Sequence, residues 1–229
     1  MKLSNRLGVV AGFIENGASV VDVGTDHGLL PVFLARNGLA RNIVASDISE
    51  GSLAAARRSA AKYGVTEKIK FVAAPGLKGA QDTDVDTVVI AGVGGETIIR
   101  ILADAPWVKS RGARLILQPQ TKSGELCRWL RDNGYAIRDA ELVRDSGRFY
   151  TVMLVGAGES GSARSPEMEL LLMLRERRGP LFAAFIDKLI AKTKQTSDGM
   201  EKSGSAELQN MLKKLEELNI LKEDDLCRR

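Results

Sequence analysis

The sequence predicts an α/β fold: a mainly parallel sheet of seven strands with intervening helices, followed by a helical hairpin. Three observations lead there. Short apolar, β-branched runs alternate with helix-forming stretches through the first two thirds of the chain, the pattern of βαβ units. The last two runs of that region flank Asp145-Ser146-Gly147, a tight turn that makes them antiparallel. Beyond residues 156–163, a Gly- and Ser-rich flexible linker, the periodicity is wholly helical.

Taken in order, residues 3–14 suit a short amphipathic helix, and 19–23 (SVVDV) form the first strand, followed by a turn and a helix over 29–37. IVAS at 43–46 is the second strand and ends at Asp47. Residues 52–63 are alanine-rich, a strong helix signal. Strands follow at 69–73, 87–91 and 114–118, with helices at 96–103 and 124–133. The closing hairpin spans 135–143 and 149–155. In the tail, 166–194 is helical with a kink expected at Gly179-Pro180, and 196–205 is polar and turn-like. Residues 206–219 repeat Leu208, Met211, Leu215 and Leu218 near a 3.5-residue period, so the two tail helices are expected to pair as in a coiled coil. The expected domains are therefore 1–158 and 159–229.

Composition narrows the function. At 229 residues, 44% hydrophobic and 27% charged, the chain can bury a core without staples. Cys127 and Cys227 are far apart with no CxxC, which argues against a disulfide framework or a cysteine zinc site. The single His27 removes multi-histidine metal sites and paired-histidine catalysis, so no metal is expected. No apolar run is long enough to span a membrane, and the first residues lack a signal-peptide pattern; the chain reads as soluble and cytoplasmic. A net charge of +4 permits a nucleic-acid partner without demanding one.

The first strand runs into Asp22-Val23-Gly24-Thr25-Asp26-His27-Gly28. A glycine turn between strand and helix lets a nucleotide cofactor approach bare backbone at the helix N-terminus. The nicotinamide-type GxGxxG is absent; the spacing matches the D-x-G-x-G-x-G turn that binds S-adenosylmethionine, with Asp26 in place of the middle glycine. Asp47, ending the second strand, stands where an acid accepts ribose hydroxyls; the lesser alternative is that it caps the next helix while the glycines merely turn the chain.

Five stretches in order, LSNRL (3–7), VDVGTDHGLLP (21–31), ASDIS (45–49), IAGVGGETI (90–98) and LILQPQ (115–120), closely resemble the bacterial tRNA (adenine-22-N1)-methyltransferase family across residues 1–155. The resemblance implies a Rossmann-like seven-stranded methyltransferase sheet, S-adenosyl-L-methionine as cofactor and tRNA as partner, with oligomeric state open. It also implies cofactor contacts at Asp22, Gly24, Thr25, Gly28, Asp47, Ile48 and Gly92, with Asp26, His27, Gly94 and Gly95 facing the target base; His27 reads also as a structural hydrogen-bonding residue, and the glycines as a tight strand-to-helix turn. Gln118 and Pro119 end the fifth strand on the edge where ligands gather, and read equally as substrate contacts or as a simple strand terminator. Leu29 departs from the family, whose members often carry tyrosine there.

The chemistry is consistent. Ala91-Gly92-Val93-Gly94-Gly95 follows the fourth strand where exocyclic-amine methyltransferases carry an Asn/Asp-Pro-Pro-aromatic motif, and no Pro-Cys pair is present for covalent attack on a pyrimidine. Adenine N1 already holds an in-plane lone pair, so alignment and exclusion of water suffice. Its methylated product is cationic, which makes Asp26 the candidate catalytic carboxylate, with His27 beside it; holding the cofactor's ammonium, or the turn itself, is the competing role for Asp26. Arg175, Arg177 and Arg178 in the tail, and the more diffuse Lys109, Arg111, Arg114, Lys122, Arg128 and Arg131, are candidates for tRNA phosphates, each also readable as a solvated surface charge. The alternatives are a methyltransferase acting on another RNA or a small molecule, or a cofactor- and RNA-binding module without turnover.

Overall fold

A computed structural model describes residues 1–159, 162, 164–177, 181–203 and 206–227. It divides into two compact units, Met1–Met173 and Leu174–Arg229. The first holds a seven-stranded sheet in the order β3-β2-β1-β4-β5-β7-β6. Its strands are β1 (Ala18–Val23), β2 (Ala40–Asp47), β3 (Lys70–Ala73), β4 (Thr87–Val93), β5 (Arg114–Pro119), β6 (Tyr135–Asp145) and β7 (Arg148–Ala157). β7 runs antiparallel to both β5 and β6; the remaining pairs are parallel. β1 is buried at all six positions, as a central strand covered on both faces must be.

The helices of this unit are α1 (Asn5–Gly12), α2 (Leu29–Asn37), α3 (Glu50–Lys62), α4 (Gly95–Ala103), α5 (Trp107–Ser110) and α6 (Ser123–Asp132); α7 (Pro166–Glu176) contains the division between the units. Ser4 caps α1 by accepting the Leu7 N–H, and Ser49 caps α3 by accepting that of Ser52. Gly28, at φ 66°, both ends the turn after β1 and admits α3: a Cβ there would lie 2.8 Å from the Ala56 Cβ. That contact explains why the buried face of α3 carries alanine at position 56.

Because the chain leaves β1 for β2 and β3, then returns to β4 on the other side of β1, the strand order reverses between β1 and β4. The crevice beyond the carboxyl ends of these strands is where open α/β sheets bind ligands.

The second unit pairs α8 (Phe182–Ser203) with α9 (Leu208–Cys227). Lys222 meets Asp187 at 2.7 Å, a late residue of α9 against an early one of α8, so the pair is antiparallel. Phe182, Ile186, Leu218 and Leu221 are buried.

The structure corrects several boundaries. β7 extends through Gly156 and Ala157, two residues into the expected linker, and the compact units divide at Met173/Leu174, inside α7. Residues 196–203 are helix, not turn. Their hydroxyls bond back within α8, Thr196 Oγ1 to the Lys192 carbonyl and Ser197 Oγ to that of Lys194, which makes these polar residues compatible with a helix interior. α5 was not expected. Gly179-Pro180 lies outside the described residues.

Candidate cofactor and substrate cleft

A cleft of about 860 Å³ opens at the switch point, walled by the turn after β1, the ends of β2 and β4, the loop after β3, α4 and the start of α1. The turn after β1 is stitched to β2: Gly24 and Thr25 both donate their N–H to the Ser46 carbonyl. Thr25 Oγ1 donates to Asp22 Oδ2 at 2.8 Å. The backbone N–H of Asp26 donates to Asp47 Oδ2 at 3.2 Å, and that of Ser49 to Asp47 Oδ1 at 2.9 Å. Each Asp47 oxygen thus accepts one backbone bond and keeps capacity for another. Asp26 achieves this at φ 50°, a left-handed conformation for which Asp is one of the better non-glycine residues.

Asp22 is the electrostatic anomaly. Burial pushes its carboxyl up to about 6; the Thr25 hydrogen bond opposes that, the nearby Asp47 adds to it, and Arg6 opposes it. Asp26 and His27 are by contrast exposed, with 72% and 65% of their side chains accessible and 3.8 Å between His27 Nε2 and Asp26 Oδ1. They sit at the lip; Asp22 lies at the floor.

The opposite wall is held by Gln118 at the end of β5. Its buried Oε1 accepts both Arg6 Nη1 at 2.6 Å and the Gly92 N–H at 3.1 Å, and its Nε2 donates to the Pro119 carbonyl. Arg6 also lies over the Tyr150 ring, 5.8 Å from its centroid.

Of the candidate residues, Asp22, Gly24, Thr25, Asp26, His27, Asp47, Ile48 and Gly92 line the cleft. Five others do not. Gly28 is filled by Ala56, as above. Gly95 is buried with its N–H on the Thr121 carbonyl and only 2.6 Å from its Cβ position to the Lys122 carbonyl, so it seats α4 against the loop after β5. Gly94 faces Thr121 Oγ1 at 3.1 Å from its Cβ position, and Pro119 is buried. Gln118 points inward and acts through Arg6 and Gly92. Leu29, at the position of the family tyrosine, lines the cleft and is 41% exposed.

Most of the diffuse basic set is engaged in holding loops. Lys109 donates to the Asn133 carbonyl, Arg111 to those of Gln81 and Thr83, and Arg131 to that of Arg164. Arg114 pairs with Glu15, and Lys122 with Glu96 and Glu125. In the tail, Arg175 is buried against Asp224 at 3.4 Å, a poor position for a phosphate contact; Arg177 ends the described part of that segment and Arg178 lies outside it.

Sequence reasoning missed Arg6, the 74–78 loop, and Thr97, Arg100 and Ile101 of α4, all of which line the cleft. The one available signal was the LSNRL stretch, which includes Arg6. Burial pushes the Cys127 thiol up to about 12, which leaves it inert as a nucleophile. Among the described residues no group of three or more His, Cys, Asp or Glu could hold a metal.

Residues 3–153 match the family described as a methyltransferase domain. The tRNA (adenine(22)-N(1))-methyltransferase of Bacillus subtilis is 34% identical over 163 residues, covering 71% of this chain and 68% of the relative. A crystal structure of the B. subtilis m1A22 tRNA methyltransferase superposes with a TM-score of 0.85 at 28% identity, covering 96% of this chain and 99% of that one. A Streptococcus pneumoniae protein solved in complex with S-adenosyl-L-methionine gives 0.85 at 30% identity, over 96% and 100%. With the cleft at the switch point of a methyltransferase sheet and a relative this similar over most of its length, the chain belongs to the tRNA (adenine(22)-N(1))-methyltransferase family.

Proposed function

We propose that this protein transfers a methyl group from S-adenosyl-L-methionine to N1 of adenine 22 in tRNA. The observation that carries the reading is the hydrogen-bonded array of Asp22, Thr25, Asp26 and Asp47 around the turn after β1, in a chain whose B. subtilis relative bears that activity.

The residues present fit the cofactor. A Cβ at Gly24 would meet nothing within 4 Å, so the backbone there is open to a ligand. Asp47 has acceptor capacity for ribose hydroxyls, and Ile48, 78% exposed beside it, offers an apolar surface to a flat heterocycle. Asp22, buried and with no basic side chain at hydrogen-bond distance among the described residues, suits a cationic ammonium. When bound, S-adenosyl-L-methionine supplies an electrophilic methyl group on a sulfonium.

The chain's own task is alignment. Gln118 fixes the Gly92 backbone and Arg6 on one wall; Asp47 fixes the Asp26 backbone on the other. Asp26, at the lip, is the carboxylate for the cationic product and for the N6 amine of the base, with His27 beside it. Leu29, exposed in the cleft lining, offers an apolar contact to the base. Residues 159–229 add a tRNA-binding surface, for which the exposed Lys192 and Lys194 of α8 stand in better positions than Arg175. A tRNA substrate implies a cytoplasmic protein; among the described residues no helix is long and apolar enough to cross a membrane.

Primer extension on tRNA treated with protein and cofactor tests the reading, since a methyl on N1 blocks Watson–Crick pairing. A stop at adenine 22 is expected. Cofactor turnover without that stop would indicate another substrate, and cofactor binding without turnover a non-catalytic module.

A further inference from the structure

We infer that the tip of the β6–β7 hairpin, bolted to α1 and carrying Arg144 and Arg148, is a phosphate-binding ridge that seats RNA beside the cleft. The inference rests on the proposed tRNA substrate.

Topology puts the tip at the cleft edge. β6 runs parallel to β5, so its carboxyl end at Asp145 lies at the same edge of the sheet as the ends of β1 and β4. β5 pairs with β7 at Leu117↔Met153 and ends at Pro119, two residues on. Arg148, Phe149 and Tyr150 therefore project past the end of β5, by about 10 Å at strand rise. The turn itself is tight, with Ser146 and Gly147 at φ 48° and 78°.

An exposed hairpin tip needs no anchoring for the fold, yet this one has several bonds to α1. Asn5 Nδ2 donates to the Arg144 carbonyl at 3.2 Å, and the Arg6 N–H to Asp145 Oδ2 at 3.3 Å. The Ser4 side chain also bonds Asp145, the main cause holding that carboxyl below its usual range. The Arg6 guanidinium then spans from Tyr150 to Gln118 in the cleft wall. Tip and cleft are one connected piece.

The charge on the tip is free for a ligand. Arg144 and Arg148 are exposed, and among the described residues neither meets a carboxylate within ion-pair distance; Arg144 stacks on Phe149 at 5.8 Å. Elsewhere in this unit Arg41 pairs with Asp84 and Asp86, and Arg114 with Glu15. The one acid of the tip, Asp145, already accepts bonds from α1. Two exposed guanidinium groups within five residues, one of them over the Phe149 ring, fit the phosphodiesters of an RNA strand.

The test is the full-length Arg144→Gln/Arg148→Gln double variant with an unmodified tRNA transcript containing adenine 22. The KM for tRNA should rise about tenfold, with kcat and cofactor affinity unchanged. The slope of log affinity against log salt should become shallower by roughly two, one per phosphate contact. Arg144→Lys/Arg148→Lys should restore most of both, since a phosphate accepts either cation. An unchanged KM and slope, or a Lys pair as defective as the Gln pair, overturns the ridge. If the wild type does not methylate adenine 22, the proposed activity fails, and binding of the same transcript to wild type and Gln variant still decides the ridge.

Discussion

The turn after β1 and the α8–α9 pair treat charged residues in opposite ways. At the turn, Asp22 is buried with a hydroxyl for a partner, and its ionisation is displaced to about 6. In the helical unit, buried Arg175 has Asp224 at 3.4 Å, and Asp187 has Lys222 at 2.7 Å. A charge left unbalanced inside a protein costs stability and persists where a ligand completes it. A charge already balanced belongs to the architecture. That difference, more than the number of basic residues, separates site from scaffold here.

The largest effect expected from breaking the unbalanced side is at Asp47. Asp47→Ala removes the acceptor offered to ribose and frees the Asp26 and Ser49 N–H groups that it holds. Calorimetry should record a loss of roughly 1.5–3 kcal/mol in S-adenosyl-L-methionine binding, the scale of charge-assisted hydrogen bonds. Unchanged affinity would remove Asp47 from the site.

Asp22→Asn should do something a merely structural carboxylate would not: stabilise the cofactor-free protein while weakening cofactor binding. The folded-state value of about 6 lies above the ordinary 3.8, so the native state binds the proton more tightly than the unfolded one. The resulting destabilisation is fully present above pH 6 and disappears below about pH 4. The Asn variant should therefore exceed wild type by up to about 3 kcal/mol near pH 7.5, with the gap closing as pH falls through 6 towards 4. Denaturant unfolding at both ends of that range measures it; a gap that widens on acidification would contradict the assignment.

Much of this was readable from sequence because the sheet announces itself. β1 and β4 are short β-branched runs, each followed by a glycine, and Asp22 and Asp47 were placed by their distance from strand ends. Direction was not readable. Gln118 lies one residue before the end of β5, at the expected edge, yet its side chain turns inward to Arg6, a partner 112 residues away. Arg6 itself looked like one charge on a short amphipathic helix, since its role depends on Tyr150 and Gln118 being folded beside it. Gly95 looked like open backbone because a sequence does not reveal that the Thr121–Lys122 backbone comes within contact distance. Residues 196–203 looked like a turn because hydroxyls that bond back to their own helix leave no apolar period.

A smaller effect is expected at the lip. Asp26→Asn keeps both volume and tolerance of φ 50° but loses the charge. Methyl transfer should fall at least tenfold, about 1.4 kcal/mol of transition-state stabilisation, with only a modest change in cofactor affinity. Near-normal turnover would reduce Asp26 to the geometry of the turn, and Asp26→Gly, which relieves the left-handed backbone, should then be as active as wild type.

The smallest effect is expected on the balanced side, and it tests the comparison most directly. Arg175 was a natural phosphate candidate in the sequence, but its side chain is only 9% exposed and its Nε is buried with no partner among the described residues. An ion pair with one orphaned donor contributes little net stability, because desolvating the guanidinium offsets the attraction to Asp224. Arg175→Met, similar in length and apolar, should change stability by no more than about 1 kcal/mol. Asp224 is 56% exposed and can hydrate when its partner is lost. The salt dependence of tRNA binding should be unaltered, since a buried guanidinium releases no counterion from a phosphate. A slope shallower by roughly one unit would mean that Arg175 swings out to meet RNA. In that event the ion pair with Asp224 would be a resting contact, and the charge in the helical unit would be as available to a ligand as the charge in the cleft.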